Sequence, residues 1–133
     1  MIKFRSWDET LEEMLSPKET LISTNEDGEV VSWYYTGQKH PLHKKGEKTK
    51  IYTKLLQFTG CLDKNGKEIY EGDVVNGGIY NGSFQYGVIT KVGREFYSVP
   101  IGRFSEGCFT DLHLTEVIGN MYENKDLIKT NYN

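Results

Sequence analysis

The sequence predicts a mainly β protein: a small SH3-like barrel or a strongly bent antiparallel sheet, with an N-terminal β-hairpin portion and little helix. Of its 133 residues, 13% are aromatic and 14 are glycine, whereas only three are proline. That composition is typical of short strands joined by turns. Apolar and polar residues alternate along several short segments. Turn signals separate these segments about every eight to twelve residues, a spacing typical of small barrels.

The N-terminal portion, residues 1–58, is predicted to form β-hairpins. Alternation along Ile2–Trp7 indicates a strand, and Leu11–Leu15 is predicted to return as its partner. A second hairpin is predicted from two runs of β-branched and aromatic residues, Thr20–Thr24 and Val30–Tyr35. The turn between these runs ends in Asp-Gly, and its glycine accepts the positive φ that a tight turn requires.

The segment of residues 36–50 has no periodicity and is predicted to be a mobile loop or a joint between two parts. It contains five lysines and a single acidic residue, Glu47. His40 and His43 lie three residues apart, but a zinc site needs three or four ligands. The remaining possible ligands have no Cys-x-x-Cys spacing: Cys61, Cys108 and His113. We therefore interpret both histidines as parts of a solvated loop and expect no metal.

The remainder, residues 59–133, is predicted to form the barrel-like or bent-sheet portion. The predicted strands, the first of which precedes this portion, are Ile51–Phe58, Glu68–Tyr70, Val74–Val75, Tyr86–Val92, Phe96–Ile101, Leu112–Leu114 and Glu116–Asn120. Asp63–Gly66 predicts a tight turn because it ends in Asn-Gly. Asn76–Gly78 is expected to interrupt its strand. Asn124–Lys129 is predicted to form a final short helical turn, capped by Asn124.

Composition also limits the function and the cellular compartment. The net charge of −3 and the pI of about 5.6 argue against tight non-specific binding to nucleic acid. The chain opens without a signal-peptide pattern, and no apolar run approaches the roughly 20 residues of a spanning helix. We expect a cytoplasmic protein without membrane contact, with both thiols reduced and serving as small hydrophobic groups.

No pattern in the sequence predicts catalysis or a cofactor. A nucleophile motif such as Gly-x-Ser-x-Gly is absent from the sequence. The glycine-rich segment 77–82 lacks the Lys-Ser/Thr of a phosphate-binding loop, and a strand is predicted after it. The carboxylates of Glu71 and Asp73 are explained by turn formation. We therefore predict a protein that is not an enzyme.

The one concentration of charge is the basic loop. Lysines interleaved with aromatic residues can follow a nucleic-acid backbone and stack on its bases. The candidate nucleic-acid-binding residues are Lys39, Lys44, Lys45, Lys48, Lys50, Tyr34, Tyr35 and Tyr52. The alternative is that these residues only form a solvated loop, which the acidic chain as a whole favours.

Three separated motifs resemble the YopX family of phage and prophage proteins. They are Phe4–Asp8, Thr59-Gly60 together with Asp63–Asp73, and Val117–Asn124. The resemblance covers nearly the whole chain and implies one domain, residues 1–133, with possible parts at 1–58 and 59–133. Cys61-Leu62 stands where the resemblance would lead us to expect a Leu-x pair or a similar one, and this departure does not affect the turn that follows.

The resemblance implies a phage-encoded accessory protein in the cytoplasm of the bacterial host, with a tendency to self-associate, and supplies no catalytic residues. The leading hypothesis is a non-enzymatic protein-interaction module that forms a homo-oligomer. The alternative is a nucleic-acid-binding protein that uses the basic loop and the barrel face. The hypotheses differ in whether the chain self-associates or binds oligonucleotides in a salt-dependent manner.

Overall fold

The computed structural model describes residues 2–37, 40–80, 83–101 and 111–131. The chain forms two compact units. The N-terminal unit comprises residues 3–57, and the C-terminal unit comprises residues 1–2 together with 58–133. The strands account for most of the described residues, so the predicted mainly β class is confirmed.

The N-terminal unit is an antiparallel sheet with the strand order β2-β1-β5-β4-β3. Its strands are β1 Phe4–Asp8, β2 Glu13–Leu15, β3 Leu21–Thr24, β4 Val30–Tyr35 and the first part of β5 Lys50–Leu62. Both predicted hairpins form, β1 with β2 and β3 with β4. In the second turn, Gly28 has a φ of 78°, which is why the Asp-Gly pair predicts this hairpin.

Strand register gives the N-terminal sheet two different faces. Ser32 lies opposite Thr53 and Tyr34 opposite Ile51, on what we call the inner face, where Ser32 and Ile51 are buried. Successive side chains along a strand point to opposite faces. The neighbouring positions Trp33, Tyr35 and Tyr52 therefore share the other face, which we call the aromatic face.

Among the described residues, five of the nine buried side chains of the N-terminal unit are polar. Hydroxyl, carboxylate and imidazole groups are buried on or against the inner face, and we call this set the polar interior: Ser6, Asp8, Thr20, Ser32 and His40. The buried apolar side chains of this unit are Trp7, Leu15, Ile51 and Leu56. Buried polar groups are tolerated where they have hydrogen-bond partners.

The C-terminal unit contains a second antiparallel sheet, in the order β10-β7-β8-β9. Its elements are the end of β5, β6 Glu68–Tyr70, β7 Asp73–Tyr80, β8 Ser83–Val92, β9 Glu95–Pro100, a 3-10 turn at Leu112–Leu114, β10 Glu116–Asn120 and α1 Lys125–Asn131. Its core is aliphatic and consists of Ile69, Val75, Ile89 and Leu112, with Cys61, Phe96 and Val117 packed against it.

Two predicted details of this unit are wrong. Asn76–Gly78 does not interrupt the strand, because β7 continues to Tyr80 through a register shift, with Gly78 at a φ of 97°. Leu112–Leu114 is a 3-10 turn and not a strand. A hydrogen bond from the Thr115 backbone to the carbonyl of Leu112 closes that turn.

The described strands of the C-terminal sheet end in two edges, β9 and β10, and do not close into a barrel. The SH3-like part of the prediction is therefore not confirmed, whereas the antiparallel sheet is. Within the described ranges, no helix is long and apolar enough to cross a membrane.

Candidate functional site

The most motif-rich segment of the chain is a turn organised by Asp63. Its Oδ1 accepts hydrogen bonds from the backbone N–H groups of Asn65 and Lys67, both at 2.8 Å. Its Oδ2 accepts one from the N–H of Val117 at 2.9 Å. Burial would raise the pKa of Asp63, but these hydrogen bonds outweigh burial and hold the pKa below its ordinary value. The carboxylate thus ties the turn to β10.

Asp73 and Gly72 form the next turn. Asp73 Oδ2 accepts from the N–H of Tyr70 at 2.8 Å. Gly72 has a φ of 89°, and a Cβ there would lie 2.7 Å from the ring of Tyr122. The segment needs glycine for its backbone angle and for this close approach.

The last motif folds around Asn120. Its Oδ1 accepts from the N–H groups of Tyr122 and Glu123, at 3.0 and 2.8 Å. Its own N–H donates to Oδ1 of Asn124 at 3.1 Å. Asn124 precedes α1, and its side chain reaches back to β10. These family motifs are therefore explained by folding, and none of them brings reactive groups together.

The most unusual cluster in the described residues is the Asp8–Tyr34–His40 cluster of the N-terminal unit. Asp8 Oδ2 accepts a hydrogen bond from the Tyr34 hydroxyl and lies 3.1 Å from His40 Nε2. Its Oδ1 accepts from the N–H groups of Thr10 and Leu11, at 2.8 and 3.2 Å. The Asp8 carboxylate is therefore fully hydrogen-bonded although it is 1% exposed.

Backbone geometry determines the tautomer of His40. The N–H of Leu42 donates to Nδ1 at 3.1 Å. Nδ1 therefore acts as the acceptor, and the proton lies on Nε2, which donates to Asp8. His40 is 7% exposed, so its interpretation as part of a solvated loop is wrong. The imidazole fixes the loop to the inner face.

The electrostatics of this cluster follow from burial and hydrogen bonding. Burial alone would raise the pKa of Asp8, but the four hydrogen bonds that it accepts outweigh burial and hold the pKa below its ordinary value. Burial, together with the hydrogen bond to the Asp8 carboxylate, raises the pKa of Tyr34 well above its ordinary value. The cluster therefore stabilises a charged carboxylate and a neutral phenol.

The candidate nucleic-acid-binding residues fall into four groups. Lys39 lies outside the described residues, as does Cys108, which was considered only as a possible metal ligand. Lys44 and Lys45 are exposed in the loop. Tyr34 lies on the inner face with its hydroxyl on Asp8, away from Tyr35 and Tyr52. Strand alternation contains the signal that separates Tyr34 from Tyr35.

The other candidates lie together on the aromatic face, where Trp33, which was not among the predicted candidates, joins them. The Trp33 and Tyr35 rings meet edge to face, with centroids 5.1 Å apart. Lys50 Nζ lies 4.2 Å from the centroid of Trp33, and Lys48 Nζ lies 5.7 Å from that of Tyr35. Tyr52, directly opposite Trp33 in the register, is 65% exposed.

An open groove of about 430 Å³ also lies in the N-terminal unit. Its described lining consists of Asn25, Val30, Val31, Ser32, Tyr52, Thr53 and Leu55. This lining includes no carboxylate, histidine, lysine or cysteine, and the Ser32 hydroxyl donates to the carbonyl of Thr53 at 2.9 Å. Within the described ranges, no group of three His, Cys, Asp or Glu residues could hold a metal ion.

Comparisons with known proteins agree with this picture of fold. A crystal structure of protein EF1440 from Enterococcus faecalis is similar, with a TM-score of 0.63 and 21% sequence identity. The match covers 96% of this chain and 98% of that one. No functionally curated protein matches the chain. The family model described as YopX protein matches residues 3–129. The chain therefore belongs to the YopX family.

Proposed function

We propose that this protein is a non-enzymatic, self-associating interaction module, and that it serves as a phage-encoded accessory protein in the cytoplasm of the bacterial host. The observation that carries the proposal is the free edge of the N-terminal sheet, strand β3. This strand ends the sheet order and pairs with β4 on one side only. Its outer backbone groups are available to a strand from another copy of the chain.

The residues of β3 give this edge no protection against pairing. The strand contains no charge and no proline, its register with β4 is continuous, and all four of its residues are exposed. Leu21 and Ile22 are 43% and 44% exposed. Natural edge strands are usually protected by lysine, proline or a bulge, so an unprotected apolar edge favours pairing.

The other three end strands of the two sheet orders, β2, β9 and β10, have protective features. β2 begins with Glu13 and follows Glu12, whose φ is 54°. β9 ends at Pro100. β10 is flanked by the Asp63 turn, since the N–H of Lys64 donates to the carbonyl of Thr115 at 2.9 Å. This contrast supports β3 as the edge that pairs.

The expected assembly is a dimer with two-fold symmetry, in which two β3 strands pair antiparallel. In such an isologous contact each copy uses the same surface. A four-residue edge is short, so we expect association in about the micromolar range.

The non-enzymatic part of the proposal rests on chemistry. Among the residues that the structure describes, the buried carboxylate–histidine pair is Asp8 with His40, and the acceptor and donor atoms of both side chains are engaged. A general base needs a free position facing a substrate. The groove of the same unit offers no titratable group apart from the Tyr52 phenol.

The test is light scattering coupled to size exclusion over roughly 10–100 µM protein, where a contact of this size is populated. We expect the native chain to form a dimer and the variant Ile22→Lys/Thr24→Lys to be a folded monomer. Val92→Lys is the matched control, because Val92 is 57% exposed but lies in the C-terminal unit. A monomeric native chain, or a double variant that still dimerises, contradicts the proposal.

A further inference from the structure

The aromatic face is a row of rings held on a rigid sheet. Trp33 and Tyr35 are two residues apart on β4, and Tyr52 lies opposite Trp33 on β5. The Trp33 Nε1–H donates to Ser23 Oγ at 2.9 Å, which fixes the indole plane. Tyr35 and Tyr52 are 47% and 65% exposed. Three adjacent rings thus lie on one surface, two of them largely open to solvent.

Lysines surround these rings. Lys48 and Lys50 lie over Tyr35 and Trp33, and neither has a carboxylate partner among the described residues. Lys54 follows Tyr52 by two residues, so it is on the same face, and it is exposed. Between residues 36 and 54 the sequence has six lysines and only one acidic residue. The face is therefore locally positive although the chain carries a net charge of −3.

From this geometry we propose that the aromatic face binds single-stranded nucleic acid, either DNA or RNA. Bases stack on Tyr35, Trp33 and Tyr52, and the lysines contact the phosphates on either side. Lys48 and Lys50 exchange their positions over the rings for phosphate contacts as the bases arrive. Stacking accepts any base because every base presents a π-face, so weak sequence preference is expected.

The same geometry disfavours a duplex. Duplex DNA is commonly recognised by a helix placed in the major groove, and the described residues of the N-terminal unit contain no helix. Paired and stacked bases have no free faces to offer the rings on the surface of a sheet, whereas unpaired bases do. Three clustered lysines are few for a surface that binds mainly through duplex phosphates.

This inference is independent of self-association through β3. Ile22 and Thr24 lie on the inner-face side of β3, since they pair with Ser32 and Val30. Changing them leaves Trp33, Tyr35 and Tyr52 in place. A monomeric Ile22→Lys/Thr24→Lys variant should therefore still bind single strands.

The test is fluorescence anisotropy with labelled oligo-dT and oligo-U of about 12 nucleotides, within the site size of a small β platform. A duplex of equal length is titrated beside them at low and high salt. We expect both single strands to bind more tightly than the duplex, and binding to weaken as salt rises. The DNA and RNA arms show whether the 2′-hydroxyl contributes to binding.

Two pairs of variants separate this face from the loop as a whole. Tyr52→Ala should weaken single-strand binding at least about fivefold, because one stacking position is lost. Lys48→Ala/Lys50→Ala should weaken it and flatten the salt dependence. Lys44→Ala/Lys45→Ala removes the same charge from exposed positions of the same loop and should have the smaller effect.

Stacking also has a spectroscopic consequence. Binding should quench the fluorescence of Trp33, followed in a Trp7→Phe background so that a single indole reports. Quenching together with the Tyr52→Ala effect supports the proposal. The proposal is overturned if no anisotropy change occurs at low salt, or if the duplex binds as well as the single strands. It is also overturned if Lys44→Ala/Lys45→Ala weakens binding as much as Lys48→Ala/Lys50→Ala and Tyr52→Ala has no effect. A face that instead serves a protein partner would give the first of these results.

Discussion

The two units have different kinds of side chain at the centre of their interiors. The polar interior of the N-terminal unit buries hydroxyls, a carboxylate and an imidazole. The C-terminal unit also buries polar side chains, among them Asp63 and Asp73, but the cluster at the centre of its interior is aliphatic and contains Ile69, Val75 and Ile89. Both interiors belong to antiparallel sheets in the same chain, so the difference lies in the side chains and not in the fold class.

The difference shows two ways to hold a small sheet together. Apolar burial is non-directional and depends on packing. A buried polar cluster depends on bond geometry and on protonation, and one missing partner leaves a desolvated group. We therefore expect the C-terminal unit to respond mainly to changes in volume and the N-terminal unit to changes in hydrogen bonding and charge.

The largest expected effect is a cavity in the aliphatic core. Ile89 is 1% exposed within that core. Ile89→Ala should lower the free energy of unfolding by about 2–5 kcal/mol, because a buried side chain is lost and a cavity remains. Circular dichroism during urea unfolding measures the change. Val92→Ala, on the exposed end of the same strand, should lower the free energy of unfolding by less than about 0.5 kcal/mol. Equal losses for the two variants would contradict the conclusion that volume in the aliphatic core stabilises this unit.

The next largest effect should come from Asp8→Asn. Each carboxylate oxygen of Asp8 accepts two hydrogen bonds, and the amide replaces one of these oxygens with an NH2 group. In the place of Oδ2, this NH2 group would face the donors of Tyr34 and His40 and could accept from neither. We expect a loss of about 2–3 kcal/mol, because buried donors lose their acceptor. Both tryptophans, Trp7 and Trp33, belong to the N-terminal unit, so intrinsic fluorescence follows its unfolding.

The control for Asp8→Asn is an exposed carboxylate. Asp27→Asn changes the same chemistry in the β3–β4 turn and should alter stability only slightly. If the two variants have equal stability by fluorescence, the Asp8–Tyr34–His40 cluster does not stabilise its unit.

Acid should weaken both units, but by less than Asp8→Asn weakens the N-terminal unit, because the hydroxyl oxygen of a protonated carboxyl can still accept a hydrogen bond whereas the NH2 group of an amide cannot. The pKa values of Asp8 and Asp63 are held below the ordinary 3.8. A lowered pKa in the folded state gives stability that is present above the unfolded value and lost as pH falls through the folded value. The urea concentration at the unfolding midpoint should thus decrease when the pH is lowered below about 4. Asp8→Asn should remove this dependence from the fluorescence signal, and an unchanged dependence would rule out Asp8 as its source.

The smallest effect tests whether the polar interior acts as a network. The Thr20 hydroxyl donates to the carbonyl of Ser16 at 2.9 Å, so Ser6 Oγ donates to Thr20 Oγ1 at 3.0 Å. Ser6→Ala leaves Thr20 with its other bond and should cost about 0.5–1.5 kcal/mol. A double-mutant cycle with Thr20→Val isolates the coupling, and a coupling near zero would show that the pair does not contribute.

Local chemistry made much of the fold predictable. The Asp63 turn follows from an Asp-x-Asn-Gly pattern, because the carboxylate and the glycine act within four residues. The interruption predicted at Asn76–Gly78 was wrong because glycine serves a break and a bulge equally well. Three residues around His113 are too few for periodicity to distinguish a strand from a 3-10 turn.

The site was less predictable because it depends on contacts between distant segments. Asp8 lies 32 residues before His40 and 26 residues before Tyr34, and the three side chains meet on the inner face. The burial of His40 depends on this meeting. No local pattern contains that information. The composition of the aromatic face was accessible, however, since alternation along β4 places Trp33 with Tyr35 and excludes Tyr34.

The hydrogen bond between Asp63 Oδ2 and the N–H of Val117 joins positions 54 residues apart. Strand β10 also pairs with β7 across forty residues or more. Contacts of such separation slow folding, because a long loop must close before they form. During synthesis, the apolar strand around Val74 and Val75 leaves the ribosome well before β10 can cover its edge. The nascent chain therefore passes through a stage at which the edge of β7 is uncovered, and the emergence of β10 determines when that stage ends.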